Sequence, residues 1–168
     1  MTPFLLGLDP PGRRLTSTVL NRSPERLMAI VAEHAQRGAA RYTPRDVTGD
    51  DKAETWCNLW AQDIAEAMGV LLPRYMRANQ LFLWLQQESA PHGWEAVSAH
   101  AAQAQADVGQ LAVGCWFSRN GGPGHICTLV PSLGETGTWT AQAGASNFTR
   151  QPVEAGFGTR PVSFFSHP

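Results

Sequence analysis

Lysine is nearly missing from this 168-residue sequence: Lys52 stands alone against 12 arginines. Charged residues of both signs make up 16%, against roughly 25% in ordinary soluble domains, and the net charge is −1. Such a chain offers no basic surface for a nucleic acid and no polybasic patch for an anionic membrane. No apolar run approaches the ~18 residues of a membrane span. The opening Met1-Thr2-Pro3-Phe4-Leu5-Leu6 lacks the basic start and long apolar stretch of a secretory signal, so the chain is expected to be made in the cytoplasm. Cysteine is scarce and odd in number, three in all, which leaves at least one thiol outside any disulfide. No CxxC or HExxH spacing exists to build a zinc site, and no cofactor or metal is expected.

What is present reads as helices first and strands second. Residues 1–22, with Pro3, Pro10, Pro11 and Gly12, show no sustained period and read as an N-terminal arm. Ser23-Pro24-Glu25 is a helix start: an N-cap, a proline at the first helical position, and an acid near the positive end. A second helix is predicted from about Glu54 or Thr55 to Gly69, with Trp56, Leu59, Trp60, Ile64 and Met68 at helical spacing. Further helices are predicted over 77–87 and 94–105. Strands are predicted over 111–117, 126–131, 139–143 and 162–165, with a glycine-rich hairpin loop at 118–124 and a turn at 144–147. The pattern is α+β, with N-terminal helices packed on a C-terminal antiparallel sheet in one domain, 23–168.

Cys57 is placed in the first turns of its helix, where unsatisfied N–H groups favour a thiolate and can hold an oxyanion. A cysteine nucleophile needs a base, and His125 opens a strand directly after Gly121-Gly122-Pro123-Gly124. By the two-residue period His125, Cys127 and Leu129 share one face, expected to look at the helix layer. His34, His92, His100 and His167 read as structural or solvated. Gln142, on the neighbouring strand, is placed to orient the imidazole, with Asn147 as its competitor.

Thr55-Trp56-Cys57-Asn58 opening a helix, Gly124-His125-Ile126 opening a strand and a polar residue on the next strand resemble the papain-like cell-wall hydrolases. These are the CHAP (cysteine, histidine-dependent amidohydrolase/peptidase) and NlpC-like groups. The resemblance covers roughly Tyr42 to His167. The segment Ala141-Gln142-Ala143-Gly144-Ala145-Ser146-Asn147-Phe148 is also similar to one that recurs among bacterial and phage proteins of this sort. It implies a papain-like fold and hydrolysis of an amide bond in peptidoglycan peptides, with Cys57 as nucleophile, His125 as base and Gln142 as orienter. This sequence departs from the family's pattern in having glutamine at the third position. No glutamine precedes Cys57 at the papain-like distance, leaving Asn58 and Tyr42 as candidate oxyanion donors.

A leaderless enzyme of this kind implies a phage lysin or an injected antibacterial effector acting in the periplasm or wall of a target bacterium. Its partners would be a secretion-system carrier and an immunity protein. The alternatives are a cysteine protease or deamidase acting on a protein, and a non-catalytic wall-binding or virion module. Some CHAP domains bind calcium near the nucleophile; here Asp46, Asp50, Asp51 and Glu54 are expected to be a solvated acidic loop, with Asp51 as an N-cap. Cys115 and Cys127 flank the hairpin and could face each other across it, more as a reduced pair than as a disulfide.

Overall fold

The computed structural model describes residues 22–168. The arm expected over 1–22 lies outside them except for Arg22, whose guanidinium donates to the His167 carbonyl at 2.5 Å. Helix α1 (Pro24–Arg37) is capped by the Ser23 hydroxyl, which accepts from the Arg26 N–H. Its buried residues Leu27 and Val31 are four apart and share one face. A short α2 (Ala39–Tyr42) follows. Helix α3 (Cys57–Ala67) ends before Gly69, whose φ of 71° is the left-handed turn that glycine adopts without penalty. Helix α4 spans Ala78–Gln87.

Six strands form one antiparallel sheet: β1 (Glu95–Val97), β2 (Leu111–Trp116), β3 (His125–Leu129), β4 (Trp139–Ala143), β5 (Asn147–Pro152) and β6 (Ser163–His167). Their order is β1-β6-β2-β3-β4-β5. The expected α+β architecture, with N-terminal helices on a C-terminal antiparallel sheet, is what is observed. Helices α1, α3 and α4 share a core with Val113, Cys115, Ile126, Ala141 and Phe165. The opposite face, with Ala112, Cys127 and Leu129, packs on α5 (Ala99–Asp107) and α6 (Val153–Phe157) through Ala102, Ala106 and Phe157.

Three expectations are corrected. The helix predicted over 94–105 begins only at Ala99, because the Ser98 hydroxyl caps it there and residues 95–97 pair with β6. The Trp94 indole is instead buried, donating to the Leu71 carbonyl. Asp51 caps nothing, since α3 starts at Cys57 with Trp56 at the cap and Asp51 sits in a turn at φ 60°. Cys115 and Cys127 do not face each other. Cys115 lies opposite Ile126 and Cys127 opposite Gly114, so the two thiols project to opposite faces of the sheet. All three cysteines are free and buried.

A buried charge cluster ties α2 to α3. The Asp63 carboxylate accepts from Arg41 Nε at 2.8 Å, from the Tyr42 hydroxyl at 2.5 Å and from Arg74 at 2.5 Å. Burial alone would raise this carboxyl, but those three donors outweigh it and hold it below its ordinary value. A carboxyl lowered on folding contributes stability above its unfolded pKa and loses it as pH falls through the folded one. Asp63→Asn is therefore expected to cost about 3 kcal/mol near neutral pH, by breaking a buried, hydrogen-bonded charge cluster. Urea unfolding from pH 7 down to pH 2 checks this: the gap between wild type and variant should narrow at the acid end.

Candidate functional site

Cys57 occupies the first position of α3, and its side chain is 4% exposed. Burial pushes its thiol above the ordinary value of 9.0, opposed by backbone N–H bonds from Ile126, Asn58 and Cys57 itself. The expected easing of ionisation at a helix start is thus present but outweighed. Removal from water disfavours the thiolate by more than the helix end restores.

The sheet is open where the thiol meets it. Strands β3 and β4 pair at Thr128↔Ala141 and Leu129↔Thr140, so the ends that carry His125 and Ala143 are not paired with each other. The Ile126 backbone N–H, one residue after His125, favours the Cys57 thiolate.

His125 is half-buried at the start of β3, and its Nε2 lies 2.5 Å from Gln142 Oε1. The Gln142 amide is oriented from its other side, where Nε2 donates to the Ser146 carbonyl at 3.1 Å. With the oxygen facing the ring, His125 Nε2 carries the proton in the neutral imidazole and Nδ1 presents a lone pair. Nδ1 makes no protein hydrogen bond among the described residues and is not sealed from solvent. Burial lowers the pKa of His125 below 6.5; the Gln142 bond opposes that shift and the Arg160 charge adds to it.

Of the residues named from sequence, the structure brings His125 and Gln142 into direct contact, and brings Cys57 to the backbone beside His125. No hydrogen bond joins the thiol to the imidazole among the described residues. The face carrying His125, Cys127 and Leu129 looks at α5 and α6, not at the N-terminal helices as expected. The thiol and imidazole therefore approach the open strand ends from opposite sides of the sheet.

Asn147 does not pair with His125: its amide accepts from the Gly144 N–H and donates to the Tyr42 carbonyl. Neither expected oxyanion donor is placed for that role. The Tyr42 hydroxyl is buried and given to Asp63, and the Asn58 amide donates to the Met76 carbonyl at 3.1 Å. The remaining donors at the site are the main-chain N–H groups that open α3. His34 bonds the Ile30 carbonyl within α1, His92 stacks on Trp84, His100 is exposed on α5, and His167 is held by Arg22 and the His92 carbonyl.

Sequence reasoning missed what surrounds the imidazole. Trp116 is the cross-strand partner of His125, the Phe157 ring meets His125 edge-on at 4.8 Å, and the Arg160 guanidinium lies 4.8 Å above Trp116. The short Gly156-Phe157-Gly158 run was the available signal. Gly156 leaves room for the Gln142 amide: a Cβ there would sit 2.2 Å from Gln142 Oε1 and force that amide to shift. Away from this centre, carboxylate oxygens of Asp46, Asp50 and Glu54 lie within 4.8 Å of one another and form the group among the described residues that could hold a cation. Asp51 is not in that group. Asp46 already accepts from the N–H groups of Thr48, Gly49 and Asp51. No family model matches the chain, and no curated protein matches it in sequence.

Proposed function

We propose that the protein is a papain-like cysteine amidohydrolase that cleaves an amide bond in bacterial cell-wall peptides. The observation that carries the reading is the 2.5 Å His125–Gln142 pair, set one residue from the backbone N–H that favours the Cys57 thiolate. Cell-wall peptide as substrate rests on the resemblance alone. In this mechanism the imidazole meets the thiol around the parted ends of β3 and β4, where His125 Nδ1 takes the thiol proton as sulfur bonds to the amide carbon. The C–N bond then breaks, and the imidazolium returns that proton to the departing amine. Water, deprotonated by the same nitrogen, attacks the thioester to release a carboxylate and regenerate the thiol. The N–H groups at the start of α3 stabilise the oxyanion in both halves.

The setting that goes with this chemistry is a phage lysin or an antibacterial effector brought to the target's periplasm by a secretion carrier and checked in the producer by an immunity protein. Muropeptide mass spectrometry of digested sacculi tests the activity. New amine and carboxyl termini absent from a Cys57→Ala control support it, and an unchanged muropeptide profile overturns it.

The buried shifts make a pH prediction. His125 must be neutral to accept the proton and is pushed below 6.5, while the thiol is pushed above 9.0. The acid limb of kcat/KM is therefore expected below pH 6.5 and the alkaline limb above pH 9. An acid limb above pH 6.5 would contradict the neutral thiol–imidazole ground state.

One observation favours a second reading: a nucleophile only 4% exposed, with its thiol raised, also suits a non-catalytic wall-binding module. Protein that co-sediments with sacculi and releases no fragments would favour it.

A further inference from the structure

Arg160 is exposed, and its guanidinium is held rather than loose. It lies 4.8 Å over the Trp116 ring, and Nη1 donates to the Phe157 carbonyl at 3.1 Å. Both anchoring residues also neighbour His125. Trp116 is directly opposite His125 in the β2–β3 register, so the two side chains share a face, and the Phe157 ring contacts His125. Arg160 makes no ion pair among the described residues. Its charge is nevertheless felt at His125 and disfavours the imidazolium. A stacked guanidinium with one free edge is pre-organised to take a planar carboxylate through two parallel N–H bonds.

Position decides which half of a substrate that carboxylate would belong to. In the proposed hydrolysis His125 hands its proton to the departing amine, so groups packed around the imidazole face the amine half. Arg160 lies on the α6 side of the sheet with His125, whereas Cys57 and the oxyanion donors come from α3 on the other side. We propose that Arg160 is a specificity residue that binds a free carboxylate on the amine-side fragment, making the preferred substrate an acidic peptide amide. This rests on the hydrolase reading above. It also gives the unpaired cation a use: a bound carboxylate neutralises it and removes its unfavourable effect on the imidazolium that must form.

The test uses one purified crosslinked muropeptide in two forms, native and with its carboxylates converted to carboxamides by carbodiimide and ammonia. Wild type is expected to cleave the native form with kcat/KM about threefold to tenfold higher, chiefly through KM, as loss of a bidentate charge-assisted contact at an exposed site implies. In Arg160→Gln the two forms should converge, and in Arg160→Lys the preference should lie between. Equal cleavage of both forms by wild type, or a preference that survives in Arg160→Gln, overturns the proposal while leaving the hydrolase reading intact. Each form is also titrated into Cys57→Ala protein with and without Arg160→Gln. An Arg160-dependent preference for the native form, with no cleavage by wild type, would keep the carboxylate site and remove the hydrolase reading. No preference in either assay overturns the carboxylate site.

Discussion

On the proposed mechanism Cys57→Ala protein is expected to lose at least about 10⁴-fold in the release of fragments from sacculi, because the covalent intermediate forms on its sulfur. Cys115 and Cys127 cannot substitute. Both are fully buried on β2 and β3, and burial pushes the Cys127 thiol up to about 12. The serine variant is expected to be almost as inactive, since a hydroxyl at this position needs a stronger base than an imidazole lowered by burial. Folding should survive the change. Exchanging one small buried side chain for another costs about 1 kcal/mol, readable as a modest fall in melting temperature. Retention of even a tenth of wild-type digestion by the alanine variant, with normal muropeptide products, would place the nucleophile elsewhere.

How far the sequence disclosed this arrangement depended on the kind of signal. Helix α1 was legible because Ser23-Pro24-Glu25 is a local device, and the structure uses Ser23 as the cap and Pro24 as the first helical residue. The strand carrying Trp139–Ala143 was legible as a compact β-rich run, and it was found with those bounds. Strand β5 was invisible: Asn147-Phe148-Thr149-Arg150-Gln151-Pro152 is an edge strand, mostly exposed, and gains no hydrophobic alternation from a second buried neighbour. Helix α6 was hidden by its five-residue length and by Gly156, which helix propensity disfavours and beside which the Gln142 amide packs.

The candidate site was legible as a choice of residues but not as geometry. Cys57, His125 and Gln142 stood out because each is a chemically apt side chain at an element end. Which face of the sheet each would occupy depended on register and on where β3 and β4 part company, neither of which a single sequence specifies. The same gap explains the error over ionisation. A helix start is a local feature that lowers a thiol, whereas burial is a tertiary one, and here the tertiary effect is larger. The hydrogen bonds of Tyr42 to Asp63 and of Asn58 to Met76 are likewise long-range pairings, which is why both residues remained plausible oxyanion donors until the fold was seen.

Gln142 is expected to act by holding the imidazole, and three variants together separate that from a merely structural role. Gln142→Ala removes the acceptor at Nε2, so the ring is free to turn and to change tautomer. A loss in kcat on the order of 10²–10³-fold is expected, within the range that positioned acid–base catalysis supplies, with KM little altered. Gly156→Ala reaches the same bond from outside. The new methyl would sit 2.2 Å from Gln142 Oε1, so the amide must withdraw from His125 while neither residue is itself changed. A similar fall in kcat is expected, with the fold kept, since Gly156 is in helical backbone and alanine favours it. Gln142→Glu carries the signature that packing alone would not produce. A carboxylate 3% exposed beside the ring would stabilise the imidazolium, raise the His125 pKa and move the acid limb of kcat/KM to higher pH. An acid limb that stays at its wild-type position in Gln142→Glu, or a Gly156→Ala enzyme with undiminished kcat, would show that the bond does not orient the base.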